Sequence, residues 1–125
     1  MELALERPED FLYVRRVESD AVTIVDRRFT RSLLLARDRV VEDWPVVDAR
    51  HMTPEHVATI LALQPEVVLL GTGSEQRFPP ADTLRAFLVA DVGVEVMDNA
   101  AAARTHSVLA GEGRRVVVAF ILDVE

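Results

Sequence analysis

Residues 67–73, Val-Val-Leu-Leu-Gly-Thr-Gly, predict the class of fold. Four consecutive apolar residues followed by glycine are typical of a strand that is buried on both faces of a sheet. Helical patterns flank this strand on both sides, one beginning at Thr53-Pro54-Glu55 and the other at Pro79-Pro80. This alternation predicts parallel crossovers and a sheet covered by helices on both faces.

The alternation of helix and strand continues to the end of the chain. Residues 94–97 are predicted to form the next strand, and Asp98-Asn99 are predicted to cap an alanine-rich helix over residues 100–110. Gly111 ends this helix. Residues 115–122 are rich in valine and predict a last buried strand.

The pattern before residue 53 is strand-like. Residues 11–17 alternate between two faces, a polar turn follows, and residues 21–25 suit the returning strand, so this segment predicts a β-hairpin. The apolar run over residues 32–36 suits a strand that is buried on both faces. Residues 37–43 are predicted to form a charged loop that leads to Trp44, and this side chain is expected to fill the core rather than to bind a ligand.

The composition excludes several classes of protein. At 125 residues, the chain is predicted to form a single domain over residues 1–125. It has no cysteine, which excludes disulfides, thiolate zinc sites and a cysteine nucleophile. Its net charge of −7 argues against general binding of nucleic acid. No apolar run approaches the roughly 18 residues that span a bilayer, and the acidic N-terminus lacks the pattern of a signal peptide, so we expect no membrane insertion and a cytoplasmic location.

Three groups of residues in the second half carry a resemblance to a known family. They are Gly71-Thr72-Gly73 with Arg77-Phe78-Pro79, the run from residue 93 to residue 109, and Glu-Gly-Arg-Arg-Val at residues 112–116. Together they resemble the Mth-type domain of unknown function, a family of small domains found in bacteria, archaea and eukaryotes. Eukaryotic members of that family include a mitochondrial assembly factor of respiratory complex I and an adipogenesis-associated protein.

The resemblance covers nearly the whole chain, because Phe29, Ser32 and Trp44 also match the family pattern. It implies a three-layered α/β fold with a mixed central sheet of about five strands, helices on both faces and an N-terminal β-hairpin layer. The family often has a cysteine and a Tyr-Asn pair where this chain has Ala103 and His106-Ser107. Any chemistry that depends on those family residues is absent here, and this favours a non-enzymatic role.

A candidate ligand site lies where the strands lead into helices. Gly71, Thr72 and Gly73 directly follow a strand, which is where α/β sheets bind ligands, although the third glycine of a dinucleotide motif and the lysine of a Walker motif are missing. Parallel strands would bring Asp98 to the same edge, and Arg77 and Arg104 could add positive charge there. One interpretation is an anion or small-ligand site. The other is a turn with glycine at positive φ, beside a helix cap that pairs with one of the arginines.

The three histidines predict neither a metal site nor a catalytic triad. His51 and His56 are five residues apart, which does not match the i, i+4 pair of a helical metal site. The sequence places no serine or carboxylate to form a triad with His106, and a surface or half-buried position is expected for it. No cofactor is predicted.

Two functions of different classes follow from these patterns. The first is a non-enzymatic binding or assembly-type module with a protein partner of unknown identity, as the resemblance to the complex I assembly factor implies. Such a module should expose an apolar patch or a self-association surface, and an oligomer is compatible with it. The second is a small-molecule-binding or anion-binding domain, or a weak enzyme, at the Gly71–Gly73 edge. That function requires a pocket with a convergent aspartate and arginine.

Overall fold

Two sheets and three α-helices form over residues 10–122, the part of the chain that the computed structural model describes. The strands are β1 (Val14–Val17), β2 (Val22–Ile24), β3 (Arg27–Phe29), β4 (Leu33–Leu35), β5 (Val40–Val41), β6 (Val67–Gly71), β7 (Gly93–Met97) and β8 (Val116–Phe120). The helices are α1 (Pro54–Leu61), α2 (Ala81–Val89) and α3 (Asn99–Gly111), and a short 3₁₀ turn, Ala49–His51, precedes α1. The predicted domain over residues 1–125 includes terminal residues outside this described range.

The central sheet is mixed, as the family resemblance implies. Its strand order is β5-β4-β8-β6-β7, with β6 parallel to β7 and β8, and with β4 antiparallel to β5 and β8. Strands β1, β2 and β3 form a separate antiparallel sheet. The predicted three-layer α/β fold is therefore confirmed, and its N-terminal layer has three strands rather than the two of a hairpin.

Side chains of the central sheet alternate between two apolar cores. Val68 and Leu70 of β6 face the core that is shared with α1, α2 and Trp44. Leu69, between them, faces the core shared with α3 and the three-stranded sheet. Because both faces are covered, β6 is apolar throughout, as residues 67–70 predict.

Two short strands depart from the predicted pattern. Residues 37–43 are predicted to be a loop, and this prediction is wrong at Val40–Val41, which pair with β4 as β5. Arg27–Phe29, which pairs with β2, is not predicted at all. Each strand has only two or three residues, and such lengths are too short to show a periodicity of their own.

The first helix begins as the sequence predicts. Pro54 is its first residue and Thr53 precedes it as the N-cap. The backbone N–H of Thr53 donates to Nδ1 of His56 at 3.0 Å, so His56 takes the place that Glu or Gln has in a capping box. The His56 ring also contacts Trp44 edge-on, with 6.3 Å between the ring centroids. Trp44 is buried in the core, as predicted.

Ser32 connects two segments that the sequence separates widely, and its removal should be costly. Its buried hydroxyl donates to the Val46 carbonyl at 2.5 Å and accepts the Leu122 N–H at 2.8 Å. We expect Ser32→Ala to lower the free energy of unfolding by about 2 kcal/mol, because it leaves a buried carbonyl and a buried N–H without these bonds. Urea unfolding measures this loss. The exposed Ser107 gives the matched control, since Ser107→Ala should change stability by less than about 0.5 kcal/mol. Equal effects of the two substitutions would contradict the assignment.

Candidate functional site

The glycine loop, residues 71–77, lies at a point where the chain turns to opposite faces of the sheet. It leaves β6 toward α2, whereas the neighbouring strand β7 leads directly into α3. Helix α2 packs on one face of the sheet and α3 packs on the other. Diverging connections of this kind open a crevice at the carboxyl ends of parallel strands, where α/β proteins bind ligands.

The two glycines of the loop are required for different reasons. Gly73 has a φ of +100°, a conformation that strongly favours glycine. Gly71 is required because of close packing, since a Cβ at this position would overlap Oδ1 of Asn99 and would lie 3.2 Å from the Ala119 carbonyl oxygen. The predicted turn with positive φ is thus present at Gly73, and Gly71 gives room for the start of α3.

The hydroxyl of Thr72 is used within the loop itself. Thr72 is buried, and its Oγ1 donates to the Glu75 carbonyl at 2.6 Å and accepts the Arg77 N–H at 3.0 Å. A hydroxyl that holds both ends of a turn is not free to act on a ligand. Thr72 therefore shapes the loop.

Asn99 joins the glycine loop to the two flanking strands, a role that the sequence analysis missed. Its Oδ1 accepts the Gly73 N–H at 3.2 Å, and its Nδ2 donates to the Ile121 carbonyl at 3.0 Å. Its own N–H donates to the Gly73 carbonyl at 2.8 Å. The sequence shows Asn99 only as a helix-capping residue, because its partners lie more than twenty positions away.

Asp98 serves as a helix cap. Its Oδ1 accepts the Ala101 N–H at 2.8 Å, which satisfies one of the donors left open at the start of α3. The expected ion pair between Asp98 and an arginine is wrong, since within residues 10–122 no arginine forms a salt bridge with its carboxylate.

Arg77 points to a different carboxylate. Its Nη1 lies 3.8 Å from Oδ2 of Asp48, while Arg50 binds the same carboxylate through Nη2 at 2.7 Å and Nε at 3.0 Å. The hydrogen bonds from the side chain and backbone of Arg50 hold the pKa of Asp48 well below its usual range, and the charge of Arg77 adds a smaller effect. Arg77 is a weak second partner, and about a third of its side chain is exposed.

Two clefts flank the glycine loop. The first has a volume of about 290 Å³ and is lined by Thr72, Gly73 and Arg77, together with Ser19 and Asp20 of the β1–β2 turn. This volume is near the lower end of the size range for ligand pockets.

The second cleft, of about 280 Å³, contains Asp98 and Asn99 and shares Gly73 with the first. Gly71 is buried beneath the loop, and Arg104 is exposed on α3 and lines neither cleft. Four of the six predicted site residues therefore line a cleft, namely Thr72, Gly73, Arg77 and Asp98. Arg77 lines only the first cleft and Asp98 only the second, so the two charged side chains do not converge on one pocket.

His106 is fully buried, so the surface or half-buried position predicted for it is wrong. It lies on α3 with its ring edge-on to Phe11, at 5.8 Å between the ring centroids. Burial lowers the pKa of His106 to about 4, and the side chain is therefore uncharged at neutral pH. It lines neither cleft.

Helix α2 carries apolar side chains on its solvent side. Leu88 and Val89 are 78% and 79% exposed, and Phe78, just before the helix, is 59% exposed. Leu84 and Leu88 line a mostly apolar depression of about 600 Å³. Phe87, the residue before Leu88, is fully buried in the core. The α2 surface is defined here by Phe78, Ala81, Asp82, Leu84, Arg85, Leu88 and Val89.

Residues 10–122 contain no group of three or more His, Asp or Glu side chains that could hold a metal ion. No helix in that range combines the length and apolar character needed to cross a bilayer.

A family model and one relative match this sequence. The model describes a protein of unknown function, DUF498/DUF598, and matches residues 14–121. The "13 kDa major membrane protein" of Francisella tularensis subsp. holarctica (strain LVS) is 30% identical over 89 residues, which cover 70% of this chain and 72% of the relative.

Solved structures share the fold over almost the full length of the chain. An NMR structure of a protein of Xanthomonas campestris matches with a TM-score of 0.83 and 43% identity, covering 98% of this chain and 92% of the other. A Mth938-like domain of Bordetella pertussis matches with a TM-score of 0.81 and 29% identity, covering 100% of this chain and 94% of the other.

Proposed function

This chain belongs to the DUF498/DUF598 family of proteins of unknown function, and from that premise we propose that it is a non-enzymatic binding module that docks a protein partner on the α2 surface. The observation that carries the proposal is the exposure of Leu88 and Val89, 78% and 79%, at the end of a helix whose other face packs in the core. Grouped apolar side chains on a surface mark interaction sites.

The state of the polar residues at the glycine loop supports the same function. A catalytic site needs a nucleophile, a base or an acid that is free to meet a substrate. Here Thr72 holds the loop, Asn99 joins the strands and Asp98 caps α3. His106, the buried imidazole, lines neither cleft beside the loop.

An assembly-type role in the cytoplasm completes the proposal. The resemblance to the complex I assembly factor supports assembly, and the α2 surface supplies the contact. An apolar helix face flanked by charge is the kind of surface that packs against a helix or groove of another protein. The Francisella relative is named as a membrane protein, so the partner is to be sought in membrane as well as soluble fractions.

Co-purification from native cells tests the proposal with two matched variants. Val89→Asp places a charge on the α2 surface, whereas Val108→Asp places the same charge on α3, where Val108 is 59% exposed. We expect wild type and Val108→Asp to retain one stoichiometric protein partner and Val89→Asp to lose it. Retention by both variants, or no partner with the wild type, would contradict the proposal.

An anion-binding function at the first cleft is the second candidate, because the cleft lies at the diverging point of β6 and β7 and Arg77 lines it with part of its side chain exposed. A ligand with a carboxylate or phosphate group would compete with Asp48 for this guanidinium. NMR titration with inorganic phosphate and with acetate tests this function. Saturable shifts around Gly73 that vanish in Arg77→Ala, but persist in Arg104→Ala, would support it, and no shifts in wild type would exclude these anions as ligands.

A further inference from the structure

The solvent side of α2 carries opposite charges in a spacing that is complementary to itself. Asp82 and Arg85 are exposed, three residues apart, and Val89 follows four residues later, so the three side chains share one face of the helix. Within residues 10–122, neither Asp82 nor Arg85 forms an ion pair with another residue. Two opposite charges on a common face are thus left unpaired beside exposed apolar groups.

A second copy of α2, placed antiparallel to the first, would supply ion-pair partners for Asp82 and Arg85. When a twofold axis passes between Thr83 and Leu84, Asp82 of each copy faces Arg85 of the other. The same axis places Val89 of each copy beyond Ala81, the first residue of the other copy's helix, and this is the end that the exposed Phe78 precedes. One symmetry operation therefore pairs charge with opposite charge and brings exposed apolar ends of the two helices near each other, as an isologous interface requires.

We propose that the α2 surface binds the α2 surface of a second copy of this chain, to form a twofold symmetric dimer. This inference rests on the proposed function, because it names the occupant of the docking surface. Helix α2 has nine residues and is about 13 Å long, so the contact is at the small end of specific interfaces. The dimer is consequently reversible and depends on protein concentration.

Reversing the charge at Asp82 or at Arg85 tests the proposed pairing across the twofold axis. Asp82→Arg makes both positions cationic, and Arg85→Asp makes both anionic, so each variant faces like charges across the axis. We expect each variant alone to be monomeric in sedimentation equilibrium where the wild type dimerises. An equimolar mixture of the two should form a heterodimer, because every pair across its axis then has opposite charges.

Sedimentation equilibrium also provides a control and the results that would overturn the inference. Arg104→Asp, an exchange of equal size on α3, should leave the dimer intact. Failure of the mixture to associate, or dimerisation of each single variant at wild-type strength, would overturn the pairing. A wild type that stays monomeric at all concentrations would also overturn it. The two failures are distinguishable. A wild type that stays monomeric, but loses a co-purified protein other than this chain in Val89→Asp, overturns the dimer alone. A wild type that co-purifies with no protein, a second copy included, overturns the proposed function as well.

Discussion

Replacing Gly71 by alanine is expected to lower the free energy of unfolding by about 3 kcal/mol. The added methyl group would overlap Oδ1 of Asn99 and press on the Ala119 carbonyl and on Cβ of Ala102, at 3.2 and 3.3 Å. Ala119 lies in the central strand β8 and Ala102 is buried on α3, so neither can yield without moving a packed element. Overpacking of this kind, combined with displaced hydrogen bonds of Asn99, accounts for the loss. Urea unfolding monitored by circular dichroism measures it.

Two further variants separate the close approach from a general effect of alanine. At Gly93, on edge strand β7, the nearest atom to a new Cβ is Cγ2 of Val67 at 3.9 Å, and Gly93→Ala should change stability by less than about 1 kcal/mol. Gly71→Ala should cost less in an Asn99→Ala background than in the wild type, because the overlapping oxygen is gone. Similar losses for Gly71→Ala and Gly93→Ala would refute this explanation.

The second large effect is a loss of stability between pH 6.5 and pH 4 caused by His106. Burial lowers the pKa of His106 from 6.5 to about 4 in the folded protein. As the pH falls, the unfolded chain takes up the proton first, so the contribution of this histidine is fully present above pH 6.5 and is lost as the pH falls toward 4. At about 1.4 kcal/mol for each pH unit, the loss amounts to about 3 kcal/mol.

The variant His106→Leu isolates this contribution from the titration of the carboxylates. We expect its free energy of unfolding to depend less steeply on pH between 4 and 6.5 than that of the wild type. His51→Leu, the same change at an exposed histidine, should keep the wild-type slope. If His106→Leu also keeps that slope, His106 is not the source of the pH dependence.

The sequence predicts the elements whose signals are local. The apolar run over residues 67–70 identifies a strand covered on both faces, and Thr53-Pro54 marks the start of α1. Strands β3 and β5 could not be predicted, since two or three residues form a strand only when a neighbour such as β2 or β4 is already in place. Mixed strand direction entered only through the family resemblance.

The candidate site shows a similar division between local and long-range information. The helix cap at Asp98 and the turn at Gly73 follow from residue type and local position. The partners of Asn99, Arg77 and His106 depend on contacts between distant segments, and the sequence gives no spacing that identifies them. The apolar residues of α2 likewise do not show by their sequence which of them are buried. Phe87 packs in the core, whereas the adjacent Leu88 is exposed to solvent.

Site-specific photo-crosslinking in living cells tests most directly whether the protein acts through the α2 surface. A benzophenone amino acid replaces Leu88 in one variant and Ser74, which lines both clefts at the glycine loop, in the other. We expect irradiation to give a discrete protein adduct from position 88 and none from position 74. An adduct from position 74 alone would contradict the account and would place the function at the glycine loop.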